Sequence, residues 1–287
     1  IIHTLFVKKE EKYMAEYEIF TDATSDLPPE VIDSLGIKVI PMDFEMDGKI
    51  YSHYPDEREL DSESFYKMAE EGVTITTTQI TPARFIEYFT PILKEGKDIL
   101  YICFSSGLSG TYGSSEIAIL NLKEDYPNRK IMSIDSLCAS SGEGLLVYLA
   151  AKEKENGKTI EELYDWVERN RLNICHWYKV DDLFHLKRGG RISSVAATFG
   201  TALNIKPLLN MDNDGKLQLI EKLRGTKTCE HHMINKLKDN YLPDKYNTII
   251  ISHADCEHEA VLLEQMLKKE FEVDEIIHSK IGPIIGA

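Results

Sequence analysis

Positive charge is scarce in this chain: 33 Lys and Arg stand against 48 Asp and Glu, a formal net charge of −15 over 287 residues. A surface of that sign repels a phosphate backbone, which excludes a general nucleic-acid partner. Long apolar runs are missing too. The nearest candidate, residues 144–151, is far short of the roughly 20 residues that span a bilayer and ends in Lys152-Glu153-Lys154-Glu155. Cysteine is sparse and scattered, at 103, 138, 175, 229 and 256, with no C-x-x-C. Free thiols in a reducing compartment follow, so a cytoplasmic location is expected. There is no G-x-S-x-G elbow and no lysine closing a glycine-rich phosphate loop. Gly142-Glu143-Gly144 lacks the third glycine of a dinucleotide fingerprint. His231-His232, His253 and His258 fit no zinc spacing, so no metal site is expected.

What is present is hydroxyl. Phe104-Ser105-Ser106-Gly107-Leu108-Ser109-Gly110-Thr111-Tyr112 follows the apolar run 98–103 and precedes 114–122, whose apolar spacing predicts a helix. A glycine-punctuated hydroxyl loop therefore joins a strand end to a helix start. Open parallel sheets place ligands there, and the helix N-terminus favours an anion. Such clusters also serve as plain turns and N-caps, and the residues alone leave both readings open.

Elsewhere, strand and helix patterns alternate. Strands are expected at 17–21, 37–40 and 130–134, and helices at 28–35, 61–69, 82–93, 142–154 and 159–166. Asp47-Gly48 marks a hairpin. The alternation predicts an α/β fold with a parallel sheet. After about residue 175 the pattern becomes α+β. A strand is expected at 174–180, a hairpin around residues 212–215, helices at 226–241 and 257–271, and strands at 248–252 and 274–278. The expected organisation is an extension at 1–13 upstream of Met14, an α/β domain at 14–174 and a smaller α+β domain at 175–287.

Four motifs in order, Thr21-Asp22-Ala23-Thr24-Ser25-Asp26-Leu27-Pro28, Thr77-Thr78-Gln79-Ile80-Thr81-Pro82, the Ser105–Tyr112 loop, and Leu186-Lys187-Arg188-Gly189-Gly190-Arg191-Ile192, are followed by Lys206-Pro207, Asp214-Gly215, Arg224-Gly225-Thr226, and His278 with Gly282-Pro283. Together they make the chain resemble the bacterial DegV family of fatty-acid-binding proteins, which includes the acyl-carrying subunit of fatty acid kinase. Thr78 and Ile80 stand where the family usually has Ser and Pro, and the glycine-rich family end is short here. The resemblance implies an α/β domain and a smaller α+β domain with a long-chain fatty acid between them and no other cofactor. It also implies that hydroxyls and a histidine hold the carboxylate, with Thr77, Thr78, Ser105, Ser106, Ser109 and His278 as candidates. Residues 196–199 and Leu203 are candidates for lining an apolar tunnel for the tail.

Two functional classes compete. In the first, the chain binds a fatty acid and presents its carboxylate to a partner kinase, with no catalysis of its own and no stable membrane insertion. Arg188, Arg191 and Arg224, with Lys187, concentrate positive charge beside glycines in an acidic chain and are candidates for docking that partner. In the second, the chain is a serine-dependent hydrolase or acyltransferase using Ser105, Ser106 or Ser109 with His278 as base; no third residue to orient the histidine is legible.

Overall fold

The computed structural model describes residues 16–181, 186, 189–192, 204–241 and 246–287. Its principal sheet is parallel and runs β2(Lys38–Ile40), β1(Tyr17–Asp22), β6(Asp98–Cys103), β7(Ile131–Asp135). All six residues of β6 are buried, as a strand covered on both faces requires. From β1 the chain moves outward to β2, and later returns as β6 on the other side of β1. The strand order thus reverses between β1 and β6, and the carboxyl ends of those two strands flank the switch point where such sheets take ligands.

Helices α1(Pro29–Leu35), α2(Ser62–Glu70), α3(Pro82–Lys94), α4(Thr111–Asp125), α5(Ser140–Glu155) and α6(Ile160–Asn170) accompany this half of the chain. Their ends follow local chemistry. Asp61 accepts from Ser64 N, Thr81 from Arg84 N, and Thr159 forms a reciprocal capping box with Glu162. A small antiparallel sheet, β4(Lys49–His53), β3(Met42–Met46), β5(Ile75–Thr77), turns at Asp47-Gly48, both at positive φ. Phe85, Phe89 and Tyr101 stack edge-to-face or tilted in one core, and Leu100, Ile102, Leu146 and Leu163 fill the other.

The remainder is α+β. An antiparallel sheet of β10(Leu217–Arg224), β9(Ile205–Met211) and β8(Tyr178–Lys179) packs with α7(Thr226–Asn240). A parallel pair, β11(Thr248–His253) and β12(Glu275–Lys280), lies between α5 and α8(Glu257–Glu270), and α9(Pro283–Gly286) follows. The strand expected at 174–180 shrinks to two residues, because only Tyr178 and Lys179 find partners, Leu209 and Leu208 on β9. Among the described residues no helix is long and apolar enough to cross a membrane.

Candidate functional site

The hydroxyl loop lies at the carboxyl end of β6, beside the switch point. Its backbone doubles back, with Leu108 N and Ser109 N donating to Ser105 O. Ser105 is fully buried; its Oγ donates to Gly215 O at 2.7 Å and accepts from Gly107 N. The β9–β10 turn is therefore seated on the loop. A Cβ on Gly107 would lie 2.7 Å from both Asp214 O and Gly215 O, so only glycine permits that approach. Ser109 Oγ accepts from Thr111 N and lies 2.9 Å from Thr111 Oγ1. Thr111 Oγ1 in turn accepts from Ile80 N, and Gln79 Nε2 donates to Ser114 Oγ.

Those bonds draw two sequence-distant motifs, 77–80 and 105–111, into one cluster at the start of α4. The N-cap residue of α4, Gly110, offers no side chain, and apart from the Ser109 Oγ bond to Thr111 N the positive end of the helix dipole faces the loop. The Asp135 carboxylate already occupies Ser106 N and Leu137 N. The donors left for an incoming anion are then hydroxyls other than those of Ser105 and Thr78, and the first-turn amides of α4 beyond Thr111.

Beneath the loop is a web of buried carboxyls. Asp22, at the end of β1, accepts Tyr101 Oη and Phe104 N on Oδ2, and Thr24 N and Thr24 Oγ1 on Oδ1. Glu143 of α5 faces Thr21 Oγ1 at 3.1 Å and Thr24 Oγ1 at 2.8 Å. Asp26 accepts Ser140 Oγ at 2.6 Å and Gly282 N at 2.9 Å. Burial raises all three: Glu143 furthest, Asp26 to about 7, and Asp22 against the opposing pull of its four donors. His53, beside Asp26 across Gly282, is pushed down to about 4 by the same loss of water.

Ser105, Ser109 and Thr77 gather at this end of the molecule, Thr77 half-buried on β5 opposite Phe44. Thr78 is exposed, and its N and Oγ1 both donate to Asp43 O. Ser106 is exposed. His278 sits on β12 in register with Ile251, and its Nε2 lies 2.7 Å from Glu264 Oε2 on α8; that bond, and not a loop hydroxyl, engages the ring. Arg191 and Arg224 are exposed, Arg191 Nη1 donating to Gly189 O and Arg224 ending β10. Arg188, Lys187, residues 196–199, Leu203 and residues 1–13 lie outside the described residues. Of the histidines that fit no zinc spacing, His232 pairs with Glu221, and no group of three His, Cys, Asp or Glu able to hold a metal occurs among the described residues.

The carboxyl web was only half legible. The sequence places Asp22, Thr24 and Asp26 in a motif without assigning them a role, and Glu143 only in a glycine pattern that fails as a dinucleotide fingerprint. Its flanks carried the signal. A Cβ at Gly142 would collide with the His176 ring, and one at Gly144 would lie 2.5 Å from Ser25 O. Two glycines flanking one acid at the start of a helix mark a face under close approach, here by the His176 ring and the Ser25 backbone.

Known proteins share this architecture. The model of the DegV family of uncharacterised proteins matches residues 16–287. A DegV domain-containing protein of Clostridium perfringens is 40% identical over 274 residues, 96% of this chain and 94% of the relative. A DegV lipid-binding protein of Thermotoga maritima superposes with a TM-score of 0.82 at 28% identity, covering 94% of this chain and 93% of that one. DegV of Bacillus subtilis, described as a fatty-acid-binding protein, gives 0.81 at 28% identity, covering 95% and 94%. With the family model, the relatives and the α/β architecture all in agreement over nearly the whole length, this chain belongs to the DegV family.

Proposed function

We propose that this protein binds a long-chain fatty acid, with the carboxylate at the Thr77–Ser109 hydroxyl cluster and the tail in an apolar tunnel. The observation that carries the reading is the cluster itself: two hydroxyl motifs joined at the N-terminus of α4, at the sheet's switch point, and closed by the β9–β10 turn. A carboxylate taken out of water needs charge-assisted donors, and hydroxyls with helix amides supply them without a competing cation. The likeness to DegV proteins described as binding fatty acids supports the same ligand. Mass spectrometry of ligand extracted from natively purified protein tests it. Stoichiometric free fatty acid is expected; phospholipid background alone sinks the reading.

Presentation of the bound carboxylate to a partner kinase, with Arg188, Arg191 and Arg224 in docking, belongs to the same proposal. Arg191 and Arg224 are exposed in a chain of net charge −15, which favours an acidic partner surface. Reversing both charges should weaken coupling to the kinase and leave the lipid content unchanged. The hydrolase alternative fares worse. Ser105 spends its proton on Gly215 O, Ser109 serves a turn, and His278 is engaged by Glu264. Labelling of any loop serine by a fluorophosphonate would restore it.

A further inference from the structure

The Thr21–Asp26 motif and Glu143 have no part in holding the ligand as proposed, yet they are among the most deeply buried polar residues described: Thr21, Asp22, Thr24 and Glu143 are each 0% exposed. Counting protons shows how they are held. The Thr24 hydroxyl has one hydrogen and two carboxyl neighbours, Asp22 Oδ1 and Glu143 Oε2, the latter at 2.8 Å. If both carboxyls were ionised, one contact would be oxygen against oxygen with no hydrogen between them. One carboxyl must therefore bring its own proton.

The two sites differ in what they accept. Asp22 receives two backbone N–H groups and the Tyr101 phenol besides Thr24, which suits a carboxylate. Besides Thr24, Glu143 receives only the Thr21 hydroxyl, on Oε1. Among the described residues no cation is bonded to either. The titratable groups that face Glu143 are Asp22 and Asp26 from the β1 end, Cys103 from β6, and Cys138 ahead of α5. The two carboxyls among them, Asp22 and Asp26, disfavour a second negative charge, and the two thiols are held neutral by burial.

We propose that Glu143 is a neutral carboxylic acid that donates from Oε2 to Thr24 Oγ1, that Thr24 donates onward to an ionised Asp22, and that this chain positions the hydroxyl loop. The loop connection is direct. Asp22 Oδ2 takes Phe104 N at 3.1 Å, the residue immediately before Ser105, so Asp22 ties the end of β1 to the first turn of the loop across the switch point. Holding Glu143 neutral leaves one negative charge on this pair where a fatty carboxylate approaches, instead of two. The positioning half rests on the fatty-acid reading; the protonation half does not. Asp22, Thr24 and Glu143 are positioning residues, since none is assigned a contact to the ligand.

Infrared spectra of the purified protein in D₂O separate the two halves. A carboxylic-acid C=O band that persists to pH 8 in the wild type and disappears in Glu143→Gln is expected. Its absence, or its survival in Glu143→Gln, overturns the protonation half. For the loop, affinity is read with oleate added to delipidated protein. Asp22→Asn cannot accept its four donors and should weaken oleate binding roughly tenfold or more. Glu143→Gln keeps a donor toward Thr24 and should weaken it less. Should Asp22→Asn not fold, Thr24→Val and Thr24→Ser decide: Val breaks the chain and loses affinity, and Ser restores it. Wild-type affinity in Asp22→Asn, or equal affinity in Thr24→Val and Thr24→Ser, overturns the positioning half. A wild type that keeps the band but binds no oleate overturns the functional reading, and the positioning half with it.

Discussion

Strands β6 and β11 look alike as sequence and live in different surroundings. Ile99-Leu100-Tyr101-Ile102 and Ile249-Ile250-Ile251 are both continuous apolar runs. Every residue of β6 is buried between two strands and two helical layers, whereas β11 has one buried residue, Ile251, and pairs only with β12 among the described residues. The lesson is that a run of isoleucines predicts a strand but not its depth, which depends on what the rest of the chain stacks against it. The α/β half carries two large apolar clusters of its own. The second half leans on it through a few apolar side chains, Ile284 in one cluster and Ile250 against the other, and through polar clips: Ser105 to Gly215, Asp26 to Gly282, Tyr66 to Ile281, Ser141 to Ser252 and Tyr148 to Glu275. The site proposed at the hydroxyl loop would have the deeply cored half as one wall and the clipped-on half, through the β9–β10 turn, as the other.

The same truncation in the two strands breaks or upholds that contrast most forcefully. Ile102→Ala should destabilise by about 3–5 kcal/mol, since nothing in a fully packed layer can collapse into the void. Ile250→Ala, in a half-buried position, should cost about 1–2 kcal/mol. Urea unfolding of both variants checks this; equal losses would mean that β11 is as deeply packed as β6.

The next largest effect concerns pH at the clip between Asp26 and Gly282. Asp26 is raised from the ordinary carboxylate range to about 7, chiefly by burial. Between about 4 and 7 the folded state therefore holds a proton that the unfolded chain has released, and stability from this group falls as pH rises through that window. His53 and His176 are each lowered to about 4 by burial, so the folded state lacks protons that the unfolded chain holds below about 6.5. Their contribution is lost as pH falls, which opposes Asp26. Asp26→Asn should remove the first slope and leave stability rising from pH 4 to 6.5; His53→Gln should weaken the second. The Asp26 term is at most about 4 kcal/mol for a shift of this size. Parallel stability curves for wild type and Asp26→Asn across pH 4–8 would refute the assignment.

Sequence patterns carried much of the fold because its determinants are local. Pro29 at a helix start, the Thr159–Glu162 box, Asp47-Gly48 and the alternating strands and helices each act over a few residues. The hydroxyl loop was legible for the same reason, as a strand-end loop leading into a helix. What stayed hidden depends on contacts across long stretches of chain. Thr24 meets Glu143 at a sequence separation of 119 and Asp26 meets Gly282 at one of 256, and no spacing in the sequence announces either. His278 illustrates the converse. A histidine ending an apolar strand looks free to reach a ligand, but its partner, Glu264, comes from the helix packed on the neighbouring strand β11.

Gly144→Ala gives a smaller effect with a diagnostic sign. In an exposed helix interior the change would stabilise by up to about 1 kcal/mol. Here the new Cβ would meet the Ser25 carbonyl at 2.5 Å, backbone that Asp22 and Asp26 hold on both sides. A loss of about 1–3 kcal/mol is expected in thermal unfolding, and a gain would show that the β1–α5 contact is looser than described.

The smallest effect tests the clips themselves. Tyr148 Oη donates to Glu275 Oε2 at 2.6 Å, joining α5 to β12 at the rim of a groove that also includes Lys152, Tyr246, Thr248 and Asp274. Burial and the neighbouring Glu275 carboxylate raise the phenol far above its ordinary range, so it stays a donor at any working pH. Tyr148→Phe keeps the ring and removes one charge-assisted bond at a partly solvated site, which should cost about 1 kcal/mol. The loss should be independent of pH between 6 and 9, because the Tyr148 phenol keeps its proton there, and that separates it from the Asp26 clip. If hydrogen exchange in β11 and β12 speeds up in Tyr148→Phe while exchange in β6 does not change, the second half is held from outside; equal acceleration in both strands would make the two halves a single cooperative unit, and the contrast between them would be one of burial only.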